Sequence, residues 1–194
     1  MPLLHIVSAE LRDDASPEAI QQALVYAHAL ATAEGVSAIC CGRSATRLLV
    51  SIWLDNAQAL EPFAASPEHM SFIMRGLATV IRGMWSASVA TEDNPPTEAP
   101  TALWLFAIPA FEGVFEWEVR RLLDDVAALP GVAWAGPTVE ERERYRAGGA
   151  VLLTDSEMGT FEEALAAARI GWGSLADHLE QAVAVDLIHH EGRA

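Results

Sequence analysis

The stretch Glu92-Asp93-Asn94-Pro95-Pro96-Thr97-Glu98-Ala99-Pro100 constrains this chain more than any other. It has no apolar periodicity, and its prolines lack the amide donor that a helix interior or a central sheet strand requires. It reads as a linker. The chain of 194 residues is therefore divided into a first unit at residues 1–92, a linker at 93–100 and a second unit at 101–194. Each unit is long enough to bury a core of its own.

The two units carry the same order of predicted elements. In the first, Leu3 to Leu11 reads as a strand, and Ser16-Pro17-Glu18 supplies an N-cap followed by a proline suited to the first helical position. Ile20, Ala23, Leu24, Ala27 and Ala31 then recur at three- and four-residue steps, giving a helix with one buried stripe that Gly35 stops. Val36 to Cys41 and Arg47 to Leu54 form a hairpin, helices fill Asn56 to Arg82, and Met84 to Thr91 is a fourth strand. The second unit repeats the βαββαβ order with strands at Thr101 to Ile108, Val132 to Ala135, Ala150 to Thr154 and Val183 to His189. Its helices are expected at Phe115 to Ala128 and Thr160 to Ala182. Gly35-Val36 falls on Gly131-Val132, His5 on Thr101, Trp53 on Leu153 and Asp55 on Asp155, so the chain reads as an internal duplication.

Hydrophobic residues make up 52% of the chain, yet no uncharged apolar run approaches the ~20 residues of a membrane-spanning helix. No secretory signal pattern opens the sequence, so the expected location is the cytoplasm and no membrane partner is expected. The net charge of −15, with lysine absent, argues against a nucleic-acid partner, because a phosphate backbone would be repelled. Cys40 and Cys41 are adjacent on a predicted strand, which sends their side chains to opposite faces and leaves two free buried thiols.

Between Val50 and Phe72 a strand ending in Trp53 gives way to an acidic turn and then to a helix opened by Ser66-Pro67-Glu68. Trp53, Asp55, Ala59, Phe63, Ser66, Pro67, Glu68, His69 and Phe72 together resemble the strand-to-helix segment of the dimeric α+β-barrel superfamily, which includes antibiotic-biosynthesis monooxygenases and stress-responsive barrel proteins. The resemblance implies an α+β fold in which two ferredoxin-like βαββαβ units form an α+β barrel with pseudo-twofold symmetry. Such barrels are usually homodimers; here one chain would supply both halves, and further self-association stays open. The second unit departs from the pattern, with Ser174-Leu175-Ala176-Asp177 where the first has Ser66-Pro67-Glu68-His69.

Chemistry in this sequence rests on few side chains. His69, beside an apolar face expected to bury Met70, Ile73, Met74, Leu77 and Ile81, is the candidate acid or base, since histidine titrates near neutrality; the bland alternative is a partly exposed helix residue. Trp53, Phe72, Trp85 and Trp104 are candidate pocket walls, with core packing as the competing role. His5 could point into the barrel or sit as a satisfied core histidine. His189 and His190 are adjacent and cannot easily share a metal ion, so no metal site is expected; His28 and His178 read as lone surface residues on helices. The run from Glu140 to Arg146 reads as a solvated arm, and the glycine loop of nucleotide sites, Gly-x-Ser-x-Gly and His-Glu-x-x-His are missing.

The resemblance implies a monooxygenase that works without a cofactor on an aromatic or polyketide-like small molecule. The haem-degrading branch of the superfamily uses a first-strand Asn, a Trp and a helix-two His; Val7 and Ser8 lie near the first position and Ile73 near the last, which argues against haem degradation. The alternative is a non-catalytic barrel that binds an apolar ligand or a protein partner, since fold alone does not fix function. Any site is expected in the first unit, walled by Trp53, His69 and Phe72.

Overall fold

The computed structural model describes residues 1–98, 100–109, 115–139, 145–172 and 178–190. Strand β1 (Leu3–Leu11) leads to helix α1 (Pro17–Ala29), whose N-cap Ser16 accepts from the Ala19 amide and whose buried stripe is Ile20, Ala23, Leu24 and Ala27. Gly35, at φ +78°, makes the left-handed turn into β2 (Val36–Arg43), which pairs antiparallel with β3 (Arg47–Leu54). Helices α2 (Leu60–Ala64) and α3 (Pro67–Ser71), a π-helical turn at Phe72–Leu77 and α4 (Ala78–Val80) return the chain to β4 (Ile81–Ala90). The second unit runs β5 (Ala102–Pro109), α5 (Glu116–Ala127), β6 (Val132–Pro137), β7 (Tyr145–Leu153), α6 (Met158–Arg169) and β8 (His178–His189).

Three local expectations are corrected. The π-helical turn shifts the phase of its helix, so Met70 and Met74 are exposed while Phe72, Gly76, Leu77 and Val80 face inward. Strand β7 begins at Tyr145, well before Ala150, because its glycine-rich first half pairs with both β5 and β6. Strand β8 begins at His178, inside a stretch whose Ala and Leu content reads as helix; its first half pairs with β5 and its second with β2, and tertiary pairing overrides propensity. His178 is therefore on a strand. Glu140–Arg144 and Ser174–Asp177 lie outside the described residues.

The strands form one sheet of eight in the order β4-β1-β3-β2-β8-β5-β7-β6. Read as two groups, this is 4-1-3-2 followed by the same order again, which is the ferredoxin-like arrangement repeated. The repeat creates two equivalent seams, β2 against β8 and β6 against β4. The first is zipped from Ala38↔His189 to Arg43↔Val183. The second is held by the bridge Val89↔Thr138 and the Val139 amide donating to the Ser88 carbonyl at 2.9 Å. It also depends on Gly136, where a Cβ would collide with the Ala90 carbonyl oxygen. With both seams made, the sheet closes into a barrel.

Closure sorts the side chains into three cores. The barrel interior holds Leu4, Ile6, Leu49, Trp53, Trp85, Leu103, Leu105, Trp134, Tyr145 and Leu152. On the outer face of the first unit, α1 and the α2–α4 segment cover Leu3, Val7, Ile39, Val50, Ile52 and Phe72. On the outer face of the second, Phe106, Val126, Val151, Phe161 and Trp172 pack together. Strands thus bury both faces, which accounts for the apolar content. No helix among the described residues is long and apolar enough to cross a membrane.

The ladders also refine the internal alignment. Leu3 pairs with Leu54 and Ala102 with Leu153, so Leu54 corresponds to Leu153, and the interior Trp53 corresponds to the interior Leu152 rather than to Leu153. By the same ladders His5 corresponds to Trp104, not Thr101. Cys40 faces the barrel and Cys41 the helices; burial pushes both thiols up, Cys41 to about 12, so neither offers a thiolate.

Candidate functional site

Alternation along β1 decides which face each candidate serves. Leu4 and Ile6 point into the barrel, so His5 points out, toward the helices, and the expectation that it might line the barrel is corrected. His5 stands opposite Ser88 in the β1–β4 ladder, and its Nδ1 lies 2.9 Å from the Ser88 Oγ. The fully buried ring of Phe63, brought down by α2, meets the His5 imidazole edge-on at 6.3 Å. His69, one turn into α3, also packs against Phe63, at 4.9 Å. One site on the outer face of the first unit therefore contains His5, Phe63, His69 and Ser88.

Local sequence explains the placement. Ser66 caps α3 by accepting from the His69 amide at 3.1 Å, which fixes the helix start and with it the direction of the imidazole. The His69 Nδ1 lies 2.9 Å from the Ala64 carbonyl oxygen. A carbonyl can only accept, so Nδ1 carries a proton and the neutral ring keeps its lone pair on Nε2. His5 has its pKa lowered to about 4, first by burial and then by the charge of His69. It is consequently neutral across the physiological range while a part of its surface remains accessible. The pair consists of one histidine held neutral and one with a free ring nitrogen.

The other predicted pocket residues do not join this site. Phe72 is buried in the same outer core, behind α3. Trp53 and Trp85 lie on the opposite face, inside the barrel, where Trp53 meets Trp134 and Trp85 meets Tyr145 at 5.6 Å. Trp104 faces the helices of the second unit, against Phe161 at 5.3 Å. These four expected walls are thus divided among three cores. A wall of Trp53, His69 and Phe72 is not formed, because adjacent strand positions separate Trp53 from the outer face.

Ser88 escaped the sequence reading, since only the β1–β4 register brings it opposite His5. Tyr145 and Trp134 escaped it as well, because β6 and the first half of β7 give no clear alternation. Two of the remaining histidines have structural partners. His28 Nε2 lies 3.1 Å from an Asp186 carboxylate oxygen, tying α1 to β8, and His190 Nδ1 lies 2.6 Å from the Ala31 carbonyl oxygen. His190 is thereby anchored beside the end of α1.

The sequence matches no protein-family model and no curated protein sequence. Solved structures do resemble it across nearly its whole length. An anthrone oxidase-like protein shares 13% identity at a TM-score of 0.64, covering 100% of this chain and 95% of its own. A monooxygenase-like protein from Lactobacillus acidophilus NCFM shares 12% at 0.57, covering 97% and 96%. Another, from Fusobacterium nucleatum, shares 11% at 0.56, covering 98% and 95%. At such identities the likeness is one of fold: this chain has the α+β-barrel architecture, with two ferredoxin-like units in one polypeptide.

Proposed function

We propose that the chain is a cofactor-independent oxygenase acting on a flat aromatic or polyketide-like molecule at the outer face of its first unit. The observation that carries this reading is the pairing of the neutral His5 with His69 around Phe63. An oxygenase without metal or flavin needs a substrate acidic and electron-rich enough to reduce dioxygen once deprotonated. An activated ring CH₂ group meets that need, and its oxidation balances as CH₂ plus O₂ giving C=O plus H₂O. His69 Nε2 is the group that takes the first proton. In the tautomer in which the Ser88 hydroxyl donates to Nδ1, His5 carries an Nε2–H for the oxygen on which charge develops, a role a neutral imidazole can fill. The monooxygenase-like and anthrone oxidase-like descriptions of similar folds support the same reading.

The second reading is a barrel that binds such a molecule without turning it over. It is favoured by Phe63, whose ring is fully buried where the two imidazoles meet it, a packed contact and not an open cavity. Oxygen uptake separates the two. With anthrone as probe, the oxygenase reading expects protein-dependent O₂ consumption and one ¹⁸O atom from ¹⁸O₂ in the ketone product. Saturable binding with no uptake above the protein-free rate would leave the binding reading, and neither result would remove the site.

A further inference from the structure

The two barrel seams are equivalent in topology but not in extent, and the difference leaves a hollow. Past Val183, β8 continues along β2 to His189. Past Val89, the corresponding chain is the linker. Running the register outward from Val89↔Thr138 sets Asp93 opposite Trp134 and Pro95 opposite Val132. Pro95 and Pro96 have no amide hydrogen with which to pair, so the chain stands off β6 instead of zipping onto it. Between them opens a cavity of 520 Å³ walled by Pro95, Val132, Trp134 and Leu152. Such a volume is that of a small-molecule site.

The linker is fixed over this space. Trp134 Nε1 donates to the Asn94 carbonyl oxygen at 2.9 Å, and the Trp134 ring meets Trp53 edge-on at 5.4 Å, continuous with the barrel interior. The polar lining is of one sign. Asp93, Glu98 and Glu157 surround the cavity, and no arginine or histidine is among the described residues that line it. Glu157 is held ionised by the Thr154 amide and hydroxyl, which lower its pKa. Val132, at 57% exposure, leaves an apolar wall open to solvent.

We propose that this unzipped seam is a second ligand site, separate from the histidine pair, that takes an organic cation: a flat apolar body bearing a quaternary or protonated amine. The apolar walls accept the body and the three carboxylates favour the charge. Isothermal titration of the intact chain with (2-naphthylmethyl)trimethylammonium, against 2-naphthylacetate as the anionic control, tests it. The cation should bind and the anion should not. Asp93→Asn with Glu98→Gln, both exposed linker positions, should weaken the cation about tenfold or more. Val132→Arg, at an exposed position, should abolish binding with the circular dichroism unchanged, and His69→Gln should leave it intact. Equal affinity for cation and anion, unchanged affinity in Asp93→Asn/Glu98→Gln or Val132→Arg, or no binding of the cation at millimolar concentration would each overturn the proposal.

Discussion

Trp53 and Trp134 meet edge to face across the barrel interior, their ring centroids 5.4 Å apart, one from each ferredoxin-like unit. Both are almost wholly buried, so the contact joins the two halves of the duplication through one packed core. Truncation of either ring leaves a void that the surrounding strands cannot collapse to fill. Trp53→Ala should cost about 3 to 5 kcal/mol, read as a lower urea midpoint with an unchanged m-value, whereas Trp53→Phe should cost less. A Trp53→Ala protein as stable as the parent would show that the indole lines open space.

Much of this architecture was legible in the chain because the signals were local. Ser16 and Ser66 cap the helices they were expected to cap, Gly35 turns where expected, and Pro95 and Pro96 break the sheet between the units. What could not be read was the face each strand residue would serve. His5 and Trp53 sit on strands buried on both sides, where hydrophobicity no longer distinguishes inside from outside, and one residue of phase exchanges barrel for helix layer. Ser88 and Tyr145 entered the account only through register, which no local pattern in β4 or β7 specifies.

Barrel closure within one chain rests on the weaker seam, where Gly136 passes the Ala90 carbonyl too closely for any side chain. Gly136→Ala should therefore force β6 away from β4 and cost about 1 to 3 kcal/mol, seen as a lower Tm. Amide exchange should rise first at Val139, whose donor bond to Ser88 closes the same seam. Unchanged exchange there would mean that the strands do not depend on this approach.

The neutral state of His5 has a pH signature. Its folded pKa, lowered to about 4 from the ordinary 6.5, means that between those values the unfolded chain binds the proton and the folded chain does not. Stability from this group is thus complete above about pH 6.5 and is lost as the pH falls toward 4, by an amount on the order of 3 kcal/mol at most. Urea titrations at pH 7 and 4.5 should show a loss in the parent protein that is smaller in His5→Gln. By NMR, the His5 Cε1 proton should keep its neutral-form shift until the pH is below about 5. A midpoint near 6.5 would place His5 in solvent.

His69 is the sharper test of the oxygenase reading, because the structure gives it little stabilising work to do. It is partly exposed, and its Nδ1–H bond to the Ala64 carbonyl spans only a short loop. Replacement by Ala should cost under about 1 kcal/mol, whereas loss of a proton acceptor should lower kcat by about a hundredfold or more. His69→Gln can keep a donor toward Ala64 but offers no basic nitrogen, so it should fail in turnover while binding the probe normally. Ser88→Ala separates the second histidine: it removes the partner of His5 Nδ1 and should reduce kcat with little change in KM if that bond sets the tautomer. If His69→Gln and Ser88→Ala both turn over anthrone at the parent rate, the proton is taken elsewhere and the histidine pair is not the catalytic centre.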